Sequence, residues 1–396
     1  MIYRRFGRTE LNMPVFSCGG MRYQHSWKDE DADGVTASGQ ANLEATIQRA
    51  VELGVNHIET ARGYGTSEYQ LGKILPSFPR QSIIVQTKVP PFAEASEFRR
   101  TFEHSLKLLN LEYVDLLGLH GINNQEFFDW SLKSGGCLEV AEKLREEGLV
   151  RHIGFSTHGS TELIAAVIET GRFDYVNLHY YWIFQNNWHA IEAATRQDMG
   201  VFVISPSDKG GMLHKPSPKL VELCKPPSPM QFNDLFCLSH PQIHTLSLGA
   251  ARPSDFDEHI AGLELLEKAA SILPPILEKL NQAYEQAVGT EWLASWSNGL
   301  PHWEETPGNL NLHIIVWLWN LLKAFDMNDY ARMRYNLLGN GGHWFPGANA
   351  SELETVEAEL YRRLQKYPYR DKLIGIAKEM HGTVGGESVK RLSQSD

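Results

Sequence analysis

Four side chains able to do chemistry fall in the first third of the chain. Glu59 and Tyr64 lie inside the run HIETARGYGTSE, Lys88 follows IIVQT, and His120 follows VDLLGL. A phenol with an ordinary pKa of ~10 is a poor proton donor at neutral pH, and a nearby ammonium lowers that pKa by favouring phenolate. Lys88 can supply the ammonium if a carboxylate holds its charge, and Glu59 offers one. His120 can hydrogen-bond a substrate carbonyl and fix its orientation. Together these residue types are equipment for protonating an oxygen as hydride arrives at its carbon. Taken singly, each has a plainer reading: a solvated loop lysine, a satisfied structural histidine, a turn tyrosine beside glycines. The combination at successive strand ends carries the expectation.

That expectation needs a scaffold. From residue 1 to about 265, short apolar runs alternate with longer segments of helical spacing. The expected strands are Val15–Cys18, His57–Glu59, Ile83–Thr87, Val114–Leu119, His152–Gly154, Tyr175–Leu178, Val201–Ile204 and His244–Leu248. Helical patterns lie between them at Leu43–Leu53, Phe98–Leu109, Cys137–Glu147 and Thr161–Thr170. Eight such units predict an α/β fold, a (β/α)8 TIM barrel, whose chemistry sits at the C-terminal ends of the strands. The opening MIYRRFGRTELNM reads as a hairpin capping one end. Residues 1–268 form this expected barrel domain. Residues 269–396 lack strand alternation and predict an α-helical extension, with Pro274-Pro275 as punctuation ahead of a helix over Ile276–Val288.

Composition narrows the function classes. The 396 residues carry a formal net charge of -11, which disfavours nucleic acid as a partner of the whole surface. No signal peptide is visible after Met1. The most apolar run, Leu312–Leu322, is shorter than the ~20 residues that span a bilayer, so a buried helix is expected there and no membrane partner. The four cysteines, Cys18, Cys137, Cys224 and Cys237, form no C-x-x-C pair and read as reduced thiols of a cytoplasmic protein. Oligomeric state is not encoded in any feature of the sequence.

Several segments resemble the aldo-keto reductase family: YRRFGRTELNMPVFSCGG, ETARGYGTSEYQLGKIL, IIVQTKV, YVDLLGLH, RHIGFSTH and GAARPSDFDEHI. The resemblance implies a (β/α)8 barrel binding NADP(H) in extended form and reducing an aldehyde or ketone, a small-molecule carbonyl substrate. It implies Tyr64 as general acid, Lys88 as its partner and His120 as the substrate-orienting residue. Glu59 stands where the family usually has Asp. For the cofactor it implies Ser156 and Thr157 at the nicotinamide amide, and Asn177 where the family usually has Gln. Ile204 takes the place of a stacking aromatic. Ser205, Asp208, Lys209 and Gly210 fall near the pyrophosphate. Gly249 is implied for close approach, Arg252 for a 2′-phosphate and Glu258 for the adenine amine, with Asp255 at a position that is commonly polar or basic. The chain also resembles the bacterial subgroup with a C-terminal ferredoxin-like extension, through NHIETARGYGTSE and WLWNLLKAFDMNDYARMRYNLLGNGGHWFPG. Cluster-binding cysteines are missing after residue 270, so no iron–sulfur cluster is expected.

Other signals weigh less. DEDADG (Asp29–Gly34) matches the first half of a calcium loop, but the twelfth place holds Gln40 where a bidentate Glu is needed. A loop shaping substrate access is the better reading, and no metal site is expected. GNGGHWFPG has glycines but no G-K-[ST] and reads as a turn. Trp292, Trp296 and Trp303 read as packing residues of the extension, and His313 as a core histidine. Two functions fit: an NADP(H)-dependent carbonyl reductase, or a nucleotide-binding regulatory or electron-transfer subunit that keeps the barrel with little turnover.

Overall fold

The structure, a computed structural model, describes residues 1–339 and 344–387. The chain begins as an antiparallel hairpin of β1 (Tyr3–Arg5) and β2 (Asn12–Pro14), with Tyr3 opposite Pro14. Its turn holds Gly7 at φ +53, where an added Cβ would stand 2.5 Å from the backbone of Asp198 and Gly200. Only glycine lets the hairpin lie this close to the backbone of residues 198–200. Phe6, Met13, Ile84, Leu116, Tyr175 and Phe202 then pack as one buried cluster behind it.

Eight parallel strands close into a barrel in the order β10-β3-β4-β5-β6-β7-β8-β9. They are β3 (Phe16–Gly19), β4 (His57–Glu59), β5 (Ile84–Val89), β6 (Val114–His120), β7 (Val150–Ser156), β8 (Tyr175–Leu178), β9 (Gly200–Val203) and β10 (Thr245–Leu248). Most are buried on both faces, as Leu116 and Leu117 show on β6, which is why their sequences read as unbroken apolar runs. The expected α/β barrel is therefore the fold. Some boundaries shift: β5 extends to Val89, placing Lys88 inside the strand, and β7 starts at Val150.

The helices of the barrel unit are α1 (Ala37–Glu52), α2 (Ser67–Ile74), α3 (Ala95–Leu109), α4 (Gln125–Leu132), α5 (Cys137–Glu146), α6 (Thr161–Glu169) and α7 (Trp188–Arg196). Side-chain oxygens of Thr36, Asn124 and Ser160 cap α1, α4 and α6 by accepting a first-turn N–H. After β9 come α8 (Pro218–Cys224) and α9 (Pro229–Leu238), and after β10 comes α10 (Asp257–Leu263).

The chain divides into two compact units, one of residues 1–210 with 230–269, the other of residues 211–229 with 270 onward. A boundary at 268 alone assigns 211–229 to the barrel, whereas here this β9–β10 excursion groups with the C-terminal helices. Within the second unit, Ser217 Oγ donates to Phe325 O at 2.5 Å and Lys215 pairs with Asp329 at 2.7 Å. The remaining helices are α11 (Ala269–Val288), α12 (Thr290–Ser295), α13 (Leu312–Phe325), α14 (Asn328–Leu337), α15 (Leu353–Arg363) and α16 (Arg370–Val384). Pro274 and Pro275 do not precede α11 but lie inside it. Burial of Leu273, Ile276 and Leu280 on one face outweighs the backbone bonds that the prolines remove. The apolar run of α13 is buried, with Asn320 accepting the indole N–H of Trp292 at 2.8 Å, while His313 is only partly buried. No helix among the described residues is long and apolar enough to cross a membrane. Part of the glycine-rich stretch read as a turn, residues 340–343, falls outside the described residues.

Helix α2 meets α3 closely at Gly72, where an added Cβ would lie 2.0 Å from Leu108 O. A backbone oxygen cannot rotate away. Gly72→Ala is expected to lower barrel stability by about 2 kcal/mol despite its better helix propensity, read as a shift in the urea midpoint.

Candidate active site

Glu59 ends β4 and Lys88 sits near the end of the neighbouring β5, both almost fully buried. Their ends meet as an ion pair, and Lys88 Nζ also donates to Thr60 O at 2.8 Å. Gly118 on β6 makes room for the lysine stem, since a Cβ there would stand 3.0 Å from Lys88 Cγ. The extra methylene of glutamate does not prevent the pair from closing.

Tyr64 lies half-buried above it. Lys88 Nζ is 4.9 Å from the Tyr64 ring centroid, and the His120 ring, from the end of β6, meets it edge-on at 5.8 Å. Trp27 contacts the same ring edge-on at 6.2 Å. The turn holding Tyr64 depends on Gly65 at φ +51, where a Cβ would collide with Ser26 O. Burial pushes the phenol well above its ordinary value, and the charge of Glu59 adds to this. The expected lowering by Lys88 is not the net result, because the ammonium is committed to Glu59 and Thr60. Tyr64 therefore holds its proton across the neutral range.

Beneath this pair His57 is fully buried, its Nδ1 2.6 Å from Ser17 Oγ, which in turn meets Thr245 Oγ1 at 2.6 Å. Burial, reinforced by the charge of Lys88, lowers the His57 pKa to about 3.

The next strand ends carry the residues expected at the cofactor. His120, Ser156 and Asn177 are neighbours across β6, β7 and β8 in register. Ser156 Oγ accepts from Gly121 N at 3.0 Å. Thr157 Oγ1 is occupied within its own loop, donating to Ile122 O at 2.7 Å and accepting from Gly159 N at 2.9 Å. Asn177 is fully buried, and neither atom of its carboxamide has a hydrogen-bond partner among the described residues. Ser205 sits at φ 54 just past β9, with its carbonyl accepting from Lys209 N at 3.0 Å. Lys209 Nζ is 3.4 Å from His179 Nε2, and Asp208 lies 3.9 Å from Arg22. Gly210 packs its backbone against Pro206 O, and a Cβ at Gly249 would meet the Arg22 side chain at 3.3 Å. Beyond β10, Arg252 is largely exposed and pairs with Asp255 at 3.0 Å, and Glu258 is exposed on α10.

Three features of this region escape the sequence reading. Glu68 is fully buried, accepting from Thr87 Oγ1 at 2.5 Å and pairing with Arg62. His158 and His179 stack at 4.8 Å with their ring nitrogens 2.6 Å apart. His259 and Asp234 form a buried 2.5 Å pair. Each looks like a solvated or helix-end residue until the loops are brought together.

A parallel barrel with its polar groups gathered at the C-terminal strand ends is the TIM-barrel class of site. The family model described as "Aldo/keto reductase family" matches residues 17–249, and the chain belongs to this family of oxidoreductases. It is 36% identical over 121 residues to L-galactose dehydrogenase of Arabidopsis thaliana, covering 28% of this chain and 37% of that protein. It is 34% identical over 142 residues to 9,11-endoperoxide prostaglandin H2 reductase of Trypanosoma cruzi, covering 34% of this chain and 46% of that protein. The chain thus spans less than half the length of these curated relatives. An aldo-keto reductase of Bacillus halodurans in its holo form superposes with a TM-score of 0.59 at 20% identity, over 70% of this chain and 96% of that one. An aldo-keto reductase of Klebsiella pneumoniae in complex with NADPH gives a TM-score of 0.54 at 19% identity, over 69% of this chain and 95% of that one. At such identities these two show a shared fold.

His57 yields a stability test. Its folded pKa of about 3 lies below the ordinary 6.5, so the unfolded chain takes up the proton first as pH falls. Stability from this group is intact above pH 6.5 and drains away between 6.5 and about 3. Between about pH 7 and pH 5, His57→Gln is expected to lose about 2 kcal/mol less than the parent, measured by urea unfolding at both values.

Proposed function

We propose that this protein is an NADP(H)-dependent reductase that converts an aldehyde or ketone to an alcohol, with Tyr64 as general acid. The observation that carries the reading is the buried Lys88–Glu59 pair set against the Tyr64 ring, with His120 at the ring's edge. Burying an ammonium and a carboxylate costs several kcal/mol per ion before their attraction is counted, so a pair kept in this place calls for a use. Tyr64 is protonated at neutral pH and can deliver its proton to a carbonyl oxygen. Lys88 then lies close enough to stabilise the phenolate left behind. His120 orients the carbonyl, and Glu59 keeps Lys88 charged and in place.

The residues present suit a dinucleotide. Asn177 offers an amide donor and acceptor with no partner among the described residues, suited to a carboxamide, and Ser156 stands beside it in register. Ser205, Asp208, Lys209 and Gly210 form the loop assigned to the pyrophosphate, with Gly249, Arg252 and Glu258 assigned to the adenosine end. When bound, the nicotinamide supplies the hydride. The reading as a low-turnover regulatory or electron-transfer subunit draws on Glu59 and Ile204, and the closed Lys88–Glu59 pair weighs against it.

Tyr64→Phe is expected to lower kcat by roughly 10²–10⁴-fold on any carbonyl compound the parent reduces, with NADPH affinity nearly unchanged. Glu59→Gln should hurt less and shift the pH profile. Full turnover in Tyr64→Phe would remove Tyr64 from the role.

Arg252 tests cofactor choice. The parent is expected to bind NADPH more tightly than NADH, and Arg252→Ala to narrow the difference, because a guanidinium matches a 2′-phosphate. Fluorescence titration of both cofactors reads this without turnover, and equal affinities in the parent would rule the role out.

A further inference from the structure

The Tyr64 ring is reached from one side by a residue that belongs to a different loop. Trp27 lies in the connection after β3, and its indole N–H is buried without an acceptor among the described residues. No hydrogen bond of that indole N–H holds the ring in place. The 23–34 segment is instead tied to the Tyr64 loop at two places. In the first, Thr66 Oγ1 accepts from His25 N at 3.0 Å and Ser26 N at 3.1 Å, while Thr66 N donates to Ser26 O at 2.9 Å. The second is Arg62, two residues before Tyr64, whose backbone N–H donates to Lys88 O at 2.9 Å. One arm of its guanidinium pairs with the fully buried Glu68, itself bonded to Thr87 next to Lys88. The other arm faces Asp29, the first residue of the short 3-10 turn Asp29–Gly34, as an ion pair without hydrogen-bond alignment.

We infer that Arg62, bridging Glu68 and Asp29, is a positioning residue that fastens the 23–34 segment against the Tyr64 loop and sets the orientation of the phenol through Trp27. This rests on Tyr64 being the acid. The charge logic is directional. Glu68 needs a cation because it is buried, so Arg62 is anchored at that end whether or not Asp29 is present. Asp29 is 44% exposed in its side chain, so its hold on Arg62 is a screened attraction that ionic strength can loosen. An arginine fork reaches two carboxylates from two separate nitrogens in one plane, a geometry that lysine's single ammonium nitrogen does not reproduce. The fastening therefore has one permanent end and one adjustable end.

The test is Asp29→Asn, which removes a charge from a half-exposed position at constant volume. The probe is para-nitrobenzaldehyde, an uncharged aldehyde, at saturating NADPH. A ring held off its productive geometry loses rate steeply, so kcat is expected to fall about five- to tenfold with the NADPH Kd unchanged. Backbone amides of 23–34 should exchange with deuterium faster than in the parent. Raising salt to about 0.5 M should lower the parent's kcat toward that of Asp29→Asn and leave the variant unmoved. Arg62→Lys should behave as Asp29→Asn does. Adding Asp29→Asn to Trp27→Leu should cost nothing further, since both act on one contact. Unchanged exchange over 23–34 overturns the inference whatever the kinetics, as does faster exchange with parental kcat. An additive double variant overturns the role of Trp27. If Tyr64→Phe retains turnover while Asp29→Asn still loosens 23–34 and lowers kcat, the fastening stands and the assignment of the acid falls.

Discussion

The buried pair of Lys88 and Glu59 is the constraint around which this barrel's mouth is organised. Two opposite charges, each almost wholly out of water, are stable only while each has the other. That requirement fixes the ends of β4 and β5 relative to one another and leaves little room for a Cβ at 118 beside the lysine stem. It also keeps His57 beneath them neutral, because a third charge in the same low-dielectric layer would have no partner. Ser17, His57 and Thr245 are joined by hydrogen bonds through His57 Nδ1, while its buried Nε2 has no partner among the described residues. The candidate site above thus rests on a layer that does not compete for its charge.

Much of the barrel is legible in the sequence, because strands buried on both faces must be apolar and short, and helices between them must repeat at their own period. The strands around His57–Glu59 and Tyr175–Leu178 fall where that argument puts them. Lys88 is harder to place. A lysine after an apolar run looks like the first residue of a loop, yet Gly118 leaves space for its stem and β5 continues to Val89. Pro274-Pro275 misleads in the opposite sense, since packing of Leu273, Ile276 and Leu280 carries α11 through both prolines.

The candidate site is half legible in the sequence. Glu59, Tyr64, Lys88 and His120 are separated in sequence by intervals that a barrel converts into adjacency, so a residue-type argument can find them. The direction of the phenol's shift cannot be found that way. It depends on how deeply the ring is buried and on which group holds the ammonium, and both are matters of packing. Glu68 is invisible for a related reason. An acid in the first turn of a helix ordinarily complements the helix dipole in solvent, and only the fold reveals that α2 turns this one inward onto Thr87. Arg62 stands in the same quoted run as Tyr64, but its partner Asp29 comes from a loop more than thirty positions away.

The division of the chain also bears on the order in which it can be assembled. Both units are interrupted: β10 is made after residues 211–229, yet those residues group with helices synthesised later. Leu220 and Cys224 of α8 are buried, and Ser217 bonds the last turn of α13. On a ribosome, Ser217 at the start of α8 therefore emerges before the α13 carbonyl it bonds exists, and it must wait through the whole of α9, β10 and α10 before that carbonyl appears. A gene shortened after α10 would leave residues 211–229 without the helices they group with, so the C-terminal helices behave less as an appendage than as the remainder of a unit that begins between β9 and β10.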